Sequence, residues 1–203
     1  MILISLPIFF LAIVIHEYAH GWVAYRLGDP TAKYAGRLTL NPLAHIDMMG
    51  TVLLPLLLIL MGSPVIFGWA KPVPINFSLL RHPREDILKV SVAGIAANIL
   101  LAFILSFLLK IGLFPVNSYG WLFLNYGIFI NIVLAVFNAI PIPPLDGSKI
   151  LLGLLPRELA YSYMQLERYG FLILIGLLWL GLLDRIIWPV VIILARILGA
   201  SLG

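Results

Sequence analysis

Three ionisable residues that could perform metal chemistry lie within five positions of one another, in the run His16-Glu17-Tyr18-Ala19-His20. In a helix, a spacing of four places both imidazoles on one face, one turn apart, where they can share a zinc ion. Glu17 lies beside them and could take a proton from a water molecule that the metal activates. The run therefore predicts a zinc site with Glu17 as its general base.

A catalytic zinc ion usually has three protein ligands, and this chain has no cysteine, so the third ligand must be a His, Asp or Glu. Asp146 follows a long apolar segment, and three prolines just before it exclude regular helix. At membrane depth such backbone is tolerated only inside protein or beside a wet cavity. A helix-capping role is the alternative, but beside His16 and His20 we favour Asp146 as the third ligand.

The other aspartates of the chain lie at the edges of apolar segments, next to basic or polar residues. We expect them to be solvated rather than to bind metal. They are Asp29, Asp47, Asp86 and Asp184.

The composition indicates that most of the protein faces lipid. Hydrophobic residues make up 62% of the 203 positions and charged residues only 11%, whereas soluble domains have about 25% charged residues. The apolar runs are continuous rather than alternating, which favours helices over a β-barrel. The net charge of +4 comes without any basic run interleaved with aromatic residues, so no nucleic-acid partner is indicated.

The apolar runs predict an all-α polytopic membrane protein, a bundle of about five to six hydrophobic segments in one domain over residues 1–203. The first segment is interpreted as a retained helix rather than a signal peptide. Residues 157–169 are predicted to be amphipathic and interfacial. Residues 170–200, interrupted at Asp184-Arg185, form either one broken span or a hairpin. The hydrophobic segments are 1–25, 51–61, 87–109, 121–140, 170–183 and 186–200.

The metal hypothesis constrains the topology. His20 lies near the polar end of the first segment, and Asp146 lies just beyond the end of the 121–140 segment. The two segments must therefore run in the same direction, which requires an odd number of crossings between them. We predict that residues 51–66, a short run that contains Pro55, re-enter the membrane without crossing it. Six basic residues would then share the cytosolic side, and the active site would lie nearer that face. They are Arg26, Lys33, Arg37, Lys71, Arg81 and Arg84.

Two polar stretches, residues 36–41 and 71–77, are predicted to be extended, β-like loops. In the second stretch, Pro72 and Pro74 are two residues apart. In a strand, the two positions that lack a backbone N–H would therefore lie on the same edge. The N–H groups of Val73 and Ile75 would remain free on the other edge to pair with an unwound substrate. The alternative is a proline-rich connector.

The two metal motifs together carry a resemblance to a known family. His-Glu-x-x-His in a first span, with Asn-x-x-Pro-x-x-x-x-Asp-Gly at residues 138–147, resembles the site-2 protease family of zinc intramembrane metalloproteases. The closest resemblance is to the minimal prokaryotic type without a PDZ domain. Residues 36–42, 68–76 and 93–98 agree as well, but Ile95 stands where the family usually has proline.

The resemblance implies an enzyme of a prokaryotic plasma or inner membrane that cuts transmembrane segments of single-pass membrane proteins. It implies that His16, His20 and Asp146 bind Zn²⁺, that Glu17 is the base, and that Asn138 polarises the scissile carbonyl or steadies its oxyanion. An interhelical hydrogen bond is the alternative for Asn138 and the preferred role elsewhere. We also expect Asn131, seven residues earlier, to support Asn138. The asparagines with the preferred interhelical role are Asn98, Asn125 and Asn131.

Two other functions remain compatible with histidines and carboxylates inside helices. A zinc or proton transporter should have ionisable residues strung along a path across the bilayer, whereas here they collect at one depth. Glu17 also has no evident role in transport. A catalytically inactive scaffold that keeps the metal for stability is disfavoured because all the proposed catalytic residues are present.

Overall fold

The chain folds as an all-α bundle, as its apolar runs predict, in a computed structural model that describes residues 2–62 and 68–200. No β-strand occurs within those ranges. The α-helices are α1 (Ile2–Arg26), α2 (Thr31–Tyr34), α3 (Leu54–Leu60), α4 (Pro83–Lys110), α5 (Tyr119–Asn138), α6 (Asp146–Leu154), α7 (Arg157–Met164), α8 (Gly170–Trp179) and α9 (Leu182–Leu198). A π-helical stretch, Met48–Leu53, leads into α3, and 3-10 helices form at Pro42–His45, Phe77–Leu79 and Gln165–Tyr169.

Three helices in the described part of the chain, α1, α4 and α5, are long and apolar enough to cross a membrane. They correspond to the predicted segments 1–25, 87–109 and 121–140. The fourth candidate is the pair formed by α8 and α9, if that bent pair counts as one span. Helix α4 begins earlier than predicted because Pro83 suits the first turn of a helix and Glu85 and Asp86 complement its N-terminal dipole.

Helices α1 and α5 run in the same direction, as the metal hypothesis requires. Helix α4 begins where α1 ends, and the Arg81 N–H donates to the Leu27 carbonyl at 3.1 Å. A short connection at the other end of α4 leads into α5, which packs against both α4 and α1. The C-terminal ends of α1 and α5 therefore meet at one end of the bundle.

The two ends of the segment that contains α3 lie next to each other. The Trp69 N–H donates to the Gly50 carbonyl at 3.1 Å, and the Thr51 hydroxyl donates to the Trp69 carbonyl at 2.8 Å. The helix Met48–Leu60 is also too short to rank as a span. Both observations agree with the prediction that residues 51–66 do not cross, although its residues 63–66 lie outside the described part of the chain.

The C-terminal apolar region bends by 78° between the helical stretches Glu158–Trp179 and Leu182–Leu198. The break falls at Leu180 and Gly181, so the predicted break at Asp184-Arg185 was wrong. Gly181 takes a left-handed φ of 65° that glycine adopts without strain, and Asp184 instead occupies the first turn of α9, where a carboxylate is favourable. Helix α9 then packs against α5 and α4 in the main core, whose buried members are Ala102, Ile128, Ile132, Leu183, Ile187, Val191, Ala195 and Leu198.

Two of the aspartates that we expected to be solvated are completely buried. Asp29 accepts hydrogen bonds from the N–H groups of Thr31 and Asn76, at 2.9 and 2.7 Å. Asp86 accepts from the His82 N–H at 2.9 Å and pairs with Lys89 at 2.7 Å. The expectation was wrong because hydrogen bonds to backbone N–H groups and an ion pair replace the water that each carboxylate loses.

Residues 71–76, called the extended segment below, lie along α1 without forming a strand. The Val73 N–H, which we expected to be free, donates to Glu17 Oε2 at 2.7 Å. The Ile75 N–H has no hydrogen-bond partner among the described residues. Residues 36–41 likewise form turns and bends rather than a strand, and Arg37 links them to the extended segment through the Lys71 carbonyl.

A candidate metal centre

His16 and His20 lie on one face of α1 with both Nε2 atoms turned to the same point. The two Nε2 atoms are 2.9 Å apart, and both side chains are buried. Asp146 Oδ2 lies 3.0 Å from His16 Nε2 and 2.9 Å from His20 Nε2. The structure thus brings the three predicted ligands together in one compact triangle, within reach of a single metal ion.

Asp146 reaches this position because the chain turns back sharply after α5. Helix α5 ends at Asn138, the three prolines exclude further helix, and α6 starts at Asp146 itself. Gly147 allows the close approach, since a Cβ there would lie only 2.3 Å from the Ala139 carbonyl oxygen.

Hydrogen bonds on the far side of each imidazole fix which nitrogen faces the centre. His20 Nδ1 donates to the Val90 carbonyl at 2.7 Å, and a carbonyl can only accept. His16 Nδ1 lies 2.6 Å from Asn98 Oδ1, whose own amide nitrogen donates to Asn131 Oδ1 at 2.8 Å. In the neutral imidazoles, both Nε2 atoms therefore carry lone pairs.

The donor set fits zinc. Two imidazole lone pairs and a carboxylate oxygen converge with no hydrogen atom between them, an arrangement that needs a cation. Tetrahedral bonds of about 2.0–2.1 Å would separate the three ligand atoms by about 3.3 Å. The observed separations of 2.9–3.0 Å require an opening of only a few tenths of an ångström.

Helix α4 is pressed against the two histidines at Gly94. A Cβ at this position would lie 2.3 Å from His20 Nε2 and 2.6 Å from His16 Cε1. Any larger residue would therefore displace the ligands. The helix continues without a break through Ile95, where the family usually has proline.

Glu17 and Asn138 both line the cavity that contains the metal centre, a space of about 580 Å³. Glu17 Oε2 accepts the Val73 N–H, and Oε1 has no hydrogen-bond partner among the described residues. Asn138 is half-buried and donates one amide N–H to the Leu134 carbonyl of its own helix at 3.0 Å. Its second amide hydrogen is left for a group in the cavity.

The asparagine network differs from the predicted one. Asn131 bonds to Asn98 and to the Gly127 carbonyl, both at 2.8 Å, so the expectation that it supports Asn138 was wrong. Asn98 does form the expected interhelical bond, but its carbonyl end also holds His16. This second role escaped the sequence analysis, although Asn98 lies one helical turn from Gly94 and so faces the same side of α4. Lys149, also missed, approaches Asp146 Oδ1 at 3.5 Å.

Replacing Asn98 should weaken metal binding without removing a ligand. We expect Asn98→Leu to lower zinc affinity by about 10–100-fold, because His16 loses the partner that orients its ring. Competition with a zinc-binding dye measures the affinity. Ser106→Ala is the matched control, since it removes another buried α4 hydrogen bond, to the Leu198 carbonyl, far from the metal centre. Equal zinc affinity in wild type and Asn98→Leu would contradict the orienting role.

Comparison with known proteins identifies the relatives of this chain. It is 40% identical over 185 residues to YwhC of Bacillus subtilis, described as a "putative zinc metalloprotease", covering 86% of this chain and 79% of the relative. It is 33% identical to Rip2 of Mycolicibacterium smegmatis, of the same description, over 86% of this chain and 66% of the relative. Zinc metalloprotease MJ0392 of Methanocaldococcus jannaschii is 24% identical, over 75% of this chain and 34% of the relative. No solved structure matches the chain.

The apolar bundle with this donor set and these relatives defines a class of protein, the intramembrane zinc metalloproteases, which act on membrane proteins within the lipid bilayer. Residues 115–180 match the sequence profile of Peptidase family M50, and the chain belongs to this family. The resemblance to the site-2 proteases is thereby confirmed. The alternative of a zinc or proton transporter finds no support among the relatives.

Proposed function

We propose that His16, His20 and Asp146 hold the catalytic zinc ion and that Glu17 is the general base in cleavage of a transmembrane segment. The substrate is a single-pass membrane protein. One observation carries the proposal: three buried acceptor atoms, 2.9–3.0 Å apart, converge beside a carboxylate in a cavity. A cation is needed to offset their mutual repulsion, and Glu17 Oε1, which has no hydrogen-bond partner among the described residues, lies in the same cavity, where it can accept a proton.

The residues of the site have separate roles in peptide hydrolysis. A zinc ion in this site supplies Lewis acidity, which lowers the pKa of water toward about 7 and polarises a peptide carbonyl. Glu17 Oε1 takes the proton of the attacking water and delivers it to the nitrogen of the leaving amine. Asn138 donates its second amide N–H to the oxyanion that develops on the scissile carbonyl.

A substrate helix must unwind before its peptide bond reaches this centre. Unwound backbone in lipid needs new hydrogen-bond partners, and the extended segment along the cavity offers the Ile75 N–H for this purpose. The same cavity admits water, since Glu17, Asn138 and Lys149 contribute polar groups to its lining. Substrate pairing at Ile75 would bring the unwound stretch alongside Glu17.

The whole chain, residues 1–203, acts as one membrane-embedded domain that crosses the plasma or inner membrane of a prokaryote several times. Four basic residues lie at the end of the bundle where α1 ends and α4 begins, and by the positive-inside rule we expect this end to face the cytosol. They are Arg26, Lys33, Arg81 and Arg84. His20 is six residues, or about 9 Å, from Arg26 at that end. The active site therefore opens nearer the cytosolic face.

Reconstitution tests this proposal. The purified protein is placed in liposomes with a tagged single-pass membrane protein, and cleavage is followed by the size of the tagged fragment. We expect cleavage within the transmembrane segment, its loss with the zinc chelator 1,10-phenanthroline, and its return on adding zinc. Cleavage that persists in metal-free protein would overturn the proposal, as would zinc transport across the liposomes without any cleavage.

A further inference from the structure

The extended segment is held to the rest of the fold by polar contacts at both of its ends and at Val73. The Lys71 N–H donates to the His45 carbonyl at 2.9 Å, and the buried Arg37 donates to the Lys71 carbonyl. At the other end the Asn76 N–H donates to buried Asp29 at 2.7 Å. Between these two ends, Val73 contacts α1 next to the metal centre.

Val73 touches α1 through both its side chain and its backbone. The side chain is buried, and a Cβ on Gly21 would lie 2.9 Å from its Cγ1 atom. Its N–H donates to Glu17 Oε2 at 2.7 Å, a length typical of charge-assisted hydrogen bonds. Pro72 and Pro74 have no N–H, and the Ile75 N–H has no partner in the described ranges. The Glu17 bond is thus the segment's direct polar link to the metal centre.

We propose that the Val73 backbone N–H is a positioning group for Glu17, and that Glu17 in return anchors the extended segment at the cavity. The inference builds on the proposed role of Glu17 as base. The N–H group holds one carboxylate oxygen, so that Oε1 is fixed toward the reacting water rather than free to rotate away. Ile75 lies two residues after Val73. A substrate strand that pairs with Ile75 therefore also affects the position of Glu17, through the Val73 N–H.

Amide hydrogen exchange tests the anchor independently of catalysis. In a peptide that spans residues 71–76, the prolines contribute no amide, so the protected amides are those of Lys71, Val73 and Asn76. We expect Glu17→Ala, in zinc-loaded protein, to add about one fast-exchanging deuteron to this peptide, because Val73 loses its acceptor. Glu17→Gln keeps an acceptor oxygen and should exchange like wild type. Equal exchange in all three proteins would overturn the anchor.

Kinetics test the effect on the base. Val73→Pro removes the N–H together with part of the packing on Gly21, whereas Val73→Ala removes packing and keeps the N–H. We expect Val73→Pro to lower kcat about 10- to 100-fold below Val73→Ala, with KM and zinc content similar in the two variants. Equal kcat values would overturn the positioning role, as would a difference confined to KM.

The two experiments separate this inference from the proposed function. If Glu17→Gln still cleaves the substrate, Glu17 is not the base, whatever the exchange pattern shows. If Glu17→Gln is inactive but Glu17→Ala leaves the Val73 amide protected, the base assignment stands and the anchor is rejected. The exchange rate of the Val73 amide in Glu17→Ala is compared with wild type only if the amides of α4 exchange as in wild type. This control excludes general loosening of the fold.

Discussion

Glu17→Gln should keep its zinc ion and lose about 10²–10⁴-fold in kcat, the range that a positioned general base contributes. Gln has the size of Glu and can still accept the Val73 N–H through its amide oxygen. It cannot take a proton from water, so the chemical step alone should fail. Metal analysis and cleavage of a reconstituted membrane substrate measure the two effects on the same preparation.

A matched charge change elsewhere controls for surface effects. Glu167→Gln alters an exposed residue in the 3-10 helix Gln165–Tyr169 and should leave cleavage within about twofold of wild type. If Glu17→Gln also remained within a few-fold of wild type, another group would have to accept the proton. If it lost zinc, Glu17 would be a ligand rather than a base.

Asp146→Ala should abolish stable zinc binding and all cleavage with it. Removing the carboxylate leaves two imidazoles, one ligand short of the three that a catalytic zinc ion usually has. Because loss of an outer hydrogen bond to a ligand already costs about 10–100-fold in affinity, loss of the ligand itself should cost more. The variant should still fold, since within residues 2–62 and 68–200 the Asp146 side chain bonds only to the metal-centre histidines and to Lys149. Dye competition measures zinc affinity, and thermal unfolding measures the fold.

Asp184→Ala serves as the control for Asp146→Ala. Asp184 is exposed in the first turn of α9 and accepts a hydrogen bond from Trp188 at 3.2 Å, outside the cavity. Its replacement should leave zinc affinity unchanged. Zinc retention by Asp146→Ala at wild-type affinity would remove this aspartate from the ligand set.

The main features of the fold and the metal centre could be predicted because each follows from a local rule. Helix periodicity alone places His16 and His20 on one face. The prolines before Asp146 prevent the helix that ends at Asn138 from continuing, and the shared metal then requires α1 and α5 to be parallel. Those three steps needed no knowledge of distant contacts.

The contacts that orient the centre could not be predicted, because they join residues far apart in the chain. Asn98 contacts His16, which is 82 positions away in the sequence, and Val73 contacts Glu17, which is 56 positions away. Nothing in the sequence near any of these residues identifies its partner. Asp29 was misjudged for the same reason, since its partner Asn76 lies 47 positions away. The break at Gly181 was missed because a charged pair, Asp184-Arg185, looked like the stronger interruption.

The central claim is that two imidazoles from α1 and the carboxylate of Asp146 share one zinc ion. X-ray absorption at the zinc edge of the purified protein tests it most directly. We predict one zinc ion per chain, with two histidine nitrogens and at least one oxygen at about 2.0–2.1 Å, and a spectrum that changes or vanishes in Asp146→Ala. Protein that carries no zinc while it cleaves substrate, or a spectrum identical in wild type and Asp146→Ala, would contradict the claim.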